Sequence, residues 1–175
     1  FGTAGQRCTS LGNLIIHEDI YDEFVSKLMD KVRSTTIGDS MEHDGVLYGP
    51  MLSERYAIDF LKALEMCDSS GATKLWGNGR ITTENKPDNF LGTPEEGVYM
   101  WPHVYSNVTE DMECFHEEIF GPAITLVKAT DFEHALYLAN ASPYGLSSAI
   151  YTNDRLEAYR FKTGIKAGMT GINNS

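Results

Sequence analysis

The heptapeptide Ala123-Ile124-Thr125-Leu126-Val127-Lys128-Ala129 runs straight into Thr130-Asp131-Phe132-Glu133. A short apolar, β-branched run reads as a buried strand, and the residues after it read as a capping box that opens a helix through Leu138-Ala139. The same succession occurs twice more. Leu11–His17 is a strand run followed by Glu18-Asp19 and an apolar stripe, and Ser147–Tyr151 is followed by Asp154 as a helix cap. Parallel strands need long crossovers, and a helix is the usual one. Such crossovers are right-handed and lay helices on the sheet's faces. The sequence therefore predicts an α/β fold, three-layer αβα, with a largely parallel sheet. No internal repeat or interior domain boundary interrupts it.

Between these anchors the pattern is legible in outline. Ile20, Phe24, Leu28 and Val32, with Tyr21, Val25 and Met29 beside them, predict an amphipathic helix to about Arg33. Ser53 is placed to cap a second helix carrying Ala57, Phe60, Leu61, Leu64 and Cys67 on its core face. Thr73–Trp76 reads as a strand and Gly77-Asn78-Gly79 as a turn. Residues 82–97 are polar with Pro87, Gly92 and Pro94, which predicts a surface excursion. Pro102 within Tyr99–Tyr105 predicts an edge strand, because proline cannot donate to a central ladder. Leu156, Tyr159 and Phe161 mark a last helix, and Met169–Asn173 a last strand.

Twenty-five acidic against 14 basic residues give a net charge of −11. That balance argues against nucleic acid or an anionic membrane as partner, since both require a basic surface. No run approaches the roughly 18 apolar residues of a membrane span. The five histidines lack ligand spacing, and Cys114-x-His116 alone is too little for zinc, so no metal is assigned. Cys8, Cys67 and Cys114 read as reduced thiols of a cytoplasmic protein.

Of the three, Cys8 stands apart. It lies in Phe1-Gly2-Thr3-Ala4-Gly5-Gln6-Arg7-Cys8-Thr9-Ser10, with no large apolar side chain between Gly2 and Ser10. A structural cysteine usually sits among apolar neighbours. A cation such as Arg7 favours the nucleophilic thiolate, and a glycine-rich backbone offers N–H donors to an oxyanion. On composition alone an incidental cysteine in a small-residue turn remains the competing reading.

The pattern Phe-x-x-x-Gly-Gln-x-Cys, met at Phe1, Gly5, Gln6 and Cys8, resembles the catalytic-cysteine signature of the NAD(P)-dependent aldehyde dehydrogenase superfamily. Glu117-Glu118-Ile119-Phe120-Gly121-Pro122 resembles that family's cofactor-contacting motif, and Tyr144–Asp154 the segment that follows it. Gly-Thr-Ala-Gly-Gln-Arg-Cys-Thr, with Leu47-Tyr48-Gly49-Pro50, leans towards the semialdehyde-oxidising branches.

The resemblance implies an enzyme in which the Cys8 thiolate attacks an aldehyde to give a thiohemiacetal. Hydride then passes to the nicotinamide of NAD or NADP, and the thioester left behind is hydrolysed. It implies that Glu118 holds the ribose hydroxyls on the nicotinamide side and that Phe120 lies beside the nicotinamide. Asn173 would support the nucleophile, or simply close a strand-end turn. The family's general base, its adenosine and pyrophosphate site and an oligomerisation strand match nothing in this chain. The expectation is thus a truncated catalytic domain over 1–175, taken from a homodimeric or homotetrameric enzyme and inactive alone. Two other classes compete: a cysteine esterase or acyl-transfer domain without nucleotide (with His116 as its base), and a non-catalytic assembly module.

Overall fold

The computed structural model describes residues 1–174. In chain order its elements are β1 (Asn13–His17), α1 (Tyr21–Arg33), β2 (Ile37–Gly38), α2 (Glu54–Ser69), β3 (Thr73–Trp76), β4 (Phe90–Leu91) and β5 (His103–Val108). They continue with α3 (Glu113–His116), β6 (Ala123–Ala129), α4 (Phe132–Ala141), β7 (Ser147–Ile150), α5 (Arg155–Gly164) and β8 (Met169–Ile172). The main sheet has the order β1-β6-β5-β3. Its β1–β6 and β5–β6 pairs are parallel, and only β3 runs antiparallel. Two small parallel pairs, β2–β4 and β7–β8, stand beside it.

The predicted layering follows from alternation along the strands. Ala123, Val127 and Ala129 of β6 join Tyr105 and Val108 of β5 in one core. Phe60 and Leu64 of α2, Phe115 of α3 and Leu138 of α4 complete it. Ile124 and Leu126, with Ile16 and Val104, form the opposite core against Tyr21, Met29 and Val32 of α1. The sheet is therefore covered on both faces. Each large apolar side chain so buried contributes roughly 1.5–3 kcal/mol.

Four expectations are corrected by packing. The strand after Pro102 is central, because β5 lies between β6 and β3. Pro102 just precedes it, and the His103 N–H makes the first ladder bond, to the Pro122 carbonyl at 2.8 Å. The buried stripe of α1 is Tyr21, Met29 and Val32, whereas Ile20 and Phe24 are exposed. On α5 only Phe161 is buried; Leu156 and Tyr159 face outward. Residues 82–97 are not a free excursion. Phe90 is buried in β4, paired with β2 and edge-on to Tyr99 at 5.0 Å between ring centroids. Capping is also adjusted. Asp131, not Thr130, accepts from the His134 N–H, and Ser53 makes no side-chain cap. Asp154 caps α5 as predicted. Among the described residues no helix is long and apolar enough to cross a membrane.

Candidate active site

The cysteine segment and the Glu117–Pro122 segment meet because each leads into one of two adjacent parallel strands. Cys8 lies just before β1 and Pro122 just before β6, and those strands pair with Asn13 opposite Thr125. Asn13 sets that register through its side chain. Its Oδ1 accepts from Thr125 Oγ1 at 2.5 Å, across 112 residues, and its Nδ2 donates to the Phe115 carbonyl at 2.9 Å. The β1–β6 pair and the turn leading to Glu117 are thereby fixed together.

The contact itself is backbone on backbone. Thr3, Ala4 and Gly5 all adopt left-handed conformations, with φ of 57°, 53° and 66°. This tight turn brings Gly5 so close to Gly121 that a Cβ at residue 5 would lie 1.9 Å from the Gly121 carbonyl oxygen. Gly121 is constrained from its other side, where a Cβ would lie 2.1 Å from Phe60 Cδ2. The two glycines are layers of a stack resting on α2. Only the absence of a side chain permits either approach.

Further bonds hold the cysteine turn. Gln6 Oε1 accepts from the Leu52 N–H at 2.9 Å, which ties the turn to the segment following Leu47-Tyr48-Gly49-Pro50. The Ser10 N–H donates to the Arg7 carbonyl at 2.9 Å and closes a turn around Cys8. Cys8 itself is exposed, and its N–H finds no acceptor among the described residues. Where the first two motifs meet is a cavity of about 200 Å³ lined by Phe1, Gly2, Gly5, Ser10, Gly121 and Ile124, among others, and Cys8 is not part of its lining.

Glu118 and Phe120 both project from the exposed loop that ends on Gly121. The Glu118 backbone N–H donates to Tyr144 Oη at 3.3 Å, which joins the second motif to the third. Among the described residues the Glu118 carboxylate accepts no hydrogen bond. Two free acceptor oxygens suit a vicinal diol, and the partly exposed Phe120 ring offers an apolar face nearby. The donor set thus fits the nicotinamide–ribose half of NAD(P). Among the described residues no three His, Cys, Asp or Glu side chains group as metal ligands.

The sequence profile of the aldehyde dehydrogenase family matches residues 1–175. This chain belongs to the aldehyde dehydrogenase family. It is 36% identical over 174 residues to the α-ketoglutarate semialdehyde dehydrogenase of Haloferax volcanii, covering 99% of this chain and 34% of that protein. It is 36% identical over 173 residues to the α-ketoglutaric semialdehyde dehydrogenase of Bacillus subtilis, with the same coverage of each. Among solved structures, betaine aldehyde dehydrogenase from Staphylococcus aureus in complex with NAD+ superposes with a TM-score of 0.89. It is 27% identical, over 99% of this chain and 32% of that one. The chain spans about a third of the length of these aldehyde dehydrogenases, and the two semialdehyde enzymes agree with the branch to which its wording leans.

Two further residues are engaged with backbone. Asn173, itself left-handed at φ 55°, accepts from the Thr152 N–H at 2.9 Å and donates to the Thr152 carbonyl at 3.0 Å. Its side chain is spent on closing the turn between the ends of β7 and β8. His116 Nε2 lies 2.6 Å from the Glu110 carbonyl and lines a different cavity, of about 360 Å³, with Tyr137 and Asn140. It does not line the cavity at Gly5 and Gly121. Conversely, the roles of Gln6, Phe60 and Tyr144 were not assigned from sequence. All three act by supporting backbone; Gln6 and Tyr144 lie inside the quoted motifs and Phe60 on the predicted core stripe of its helix.

Proposed function

We propose that this chain is the cysteine-bearing catalytic domain of an NAD(P)-dependent aldehyde dehydrogenase, with Cys8 as nucleophile and Glu118 and Phe120 as nicotinamide-side contacts. The observation that carries the reading is that three sequence motifs meet, Gly5 on Gly121 and the Glu118 N–H on Tyr144, the first of them bearing an exposed cysteine. An assembly module has no need to bring these motifs together around left-handed glycine packing that leaves the thiol exposed.

In this reading the Cys8 thiolate adds to the aldehyde carbon, and the resulting oxyanion takes a hydrogen bond from the unpartnered Cys8 N–H. Bound NAD(P) supplies the hydride acceptor. Glu118 orients it by accepting from both ribose hydroxyls, and Phe120 limits its travel by contact. Orientation of this kind is where much of the rate arises. The thioester left on Cys8 is released by water as a carboxylic acid. Semialdehydes are the proposed substrate class, on the strength of the two relatives.

The test uses the enzyme that contains this chain, with NAD or NADP, a panel of carboxylated semialdehydes and unsubstituted aliphatic aldehydes, and absorbance of the reduced nucleotide. Turnover favouring semialdehydes and abolished in Cys8→Ala is the expected result. Undiminished turnover in Cys8→Ala would overturn the assignment, and ester hydrolysis with no nucleotide-dependent turnover would move the chain to the esterase class.

A further inference from the structure

The turn that carries Cys8 does not hold its own shape. Thr3 and Ala4 are left-handed, at φ of 57° and 53° with ψ of 30° and 29°, although neither is glycine. A β-branched residue is rarely found there, and such backbone persists only where its surroundings impose it. Gly5 is one constraint, pressed against the Gly121 backbone. Gln6 supplies two more. Its N–H donates to the Thr3 carbonyl at 3.1 Å and closes the left-handed run. Its side-chain Oε1 accepts from the Leu52 N–H at 2.9 Å, 46 residues along the chain.

Leu52 is a firm anchor for that tie. Its own side chain is exposed, but Met51 before it is buried and donates its N–H to the Val98 carbonyl at 2.7 Å. Tyr48 is buried as well, and its hydroxyl donates to the Met100 carbonyl at 2.9 Å. The Leu52 N–H is thus carried on a segment pinned at two points to residues 98–100, and it cannot follow a drifting turn. Cys8 lies two residues beyond Gln6, inside the turn that the Ser10 N–H closes on the Arg7 carbonyl at 2.9 Å.

We propose that Gln6 is the positioning residue of the nucleophile. Its side-chain carbonyl latches the strained turn to Leu52 and so fixes where the Cys8 sulfur stands when an aldehyde arrives. The proposal rests on the reading of Cys8 as nucleophile. An acceptor at residue 6 is all the latch requires, because the donor is the Leu52 N–H. Without it the left-handed run is free to relax, and the sulfur is presented over a spread of positions. An offset of about 1 Å is enough to cost on the order of a hundredfold in rate.

The experiment compares Gln6→Met and Gln6→Glu in the enzyme that contains this chain. Methionine keeps the length and removes the acceptor, whereas glutamate keeps an acceptor. Nucleotide affinity and the single-turnover rate of hydride transfer are measured for each. Rates are taken on the alkaline plateau, so that the charge of the glutamate does not decide them. Gln6→Met should lose roughly tenfold to a hundredfold in rate with nucleotide affinity unchanged, while Gln6→Glu stays close to the unaltered enzyme. An undiminished rate in Gln6→Met would overturn the proposal, as would a loss in Gln6→Glu as deep as that in Gln6→Met. A Gln6→Met protein that loses nucleotide affinity along with rate would overturn it too, since the bond would then hold the fold at large. Cys8→Ala is assayed beside them. Full turnover in that variant would defeat the nucleophile reading and the proposal with it, whereas the other outcomes defeat the proposal alone.

Discussion

Gly121 is the residue on which most of the site's geometry rests, since Gly5 presses on one side of it and the Phe60 ring on the other. Gly121→Ala overfills that stack and should cost about 1–3 kcal/mol, read as a lower urea midpoint. An unchanged midpoint would mean that the stack relaxes without strain. His103 is buried beneath it, edge-on to Phe60 at 5.6 Å. Its Nδ1 faces the Trp101 carbonyl, and its Nε2 accepts from the Gly79 N–H, so the neutral ring is what this site accommodates. Burial lowers its pKa to about 4. Between about pH 6.5 and 4 the unfolded chain takes up a proton at this position that the folded chain refuses. The stability His103 contributes is thus present above 6.5 and is lost as pH falls to 4, on the order of 3 kcal/mol. Urea titrations of the protein and of His103→Gln across that range should differ in slope. Cys8 should be the first cysteine alkylated by limiting iodoacetamide, because Cys67 and Cys114 are buried. Peptide mapping in which either of those reacts first would contradict the placement. Of these residues Cys8 and Gly121 lie in segments the sequence marks out, and His103 does not. Nothing in the letters Thr3-Ala4 announces a left-handed turn, which L-residues adopt only when surroundings impose it.

At the level of elements, periodicity and caps located almost every strand and helix, because those signals are local. Thr73–Trp76 and Ala123–Ala129 are strands over the very residues expected. Pairing was not legible, because which strands become neighbours depends on contacts across more than a hundred residues. That is why Pro102 pointed to an edge strand while the strand after it became central. It is also why the approach of Gly5 to Gly121, a consequence of β1 pairing with β6, could not be read from the sequence. The loop from α3 to β6 has a testable role of its own. Glu118→Gln in the enzyme containing this chain should lower nucleotide-dependent turnover roughly tenfold to a hundredfold while leaving the fold intact, since one charged acceptor of the pair is lost. Unchanged nucleotide affinity together with an unchanged single-turnover rate would return Glu118 to a solvated surface acid.

For the molecule as a whole, the net charge of −11 and the doubly covered sheet describe an ordinary α/β unit. The chain spans about a third of the length of its curated relatives, and the contacts proposed for Glu118 and Phe120 reach only one half of a dinucleotide. Incubated alone with NAD or NADP and aldehydes, these 175 residues should give no multiple turnover. Positioning of the second reactant is worth several orders of magnitude, and it would be missing. Sustained nucleotide reduction by the chain alone, lost in Cys8→Ala, would show a nucleotide site that its residues do not reveal. The claim that Cys8 carries the substrate is tested most directly by acid-quenching the nucleotide-loaded enzyme within its first turnover of a semialdehyde and mapping acylated peptides by mass spectrometry. The expected result is an acyl group on Cys8 that appears only when nucleotide is present. An acyl group on Cys67 or Cys114, or on Cys8 equally without nucleotide, would contradict it.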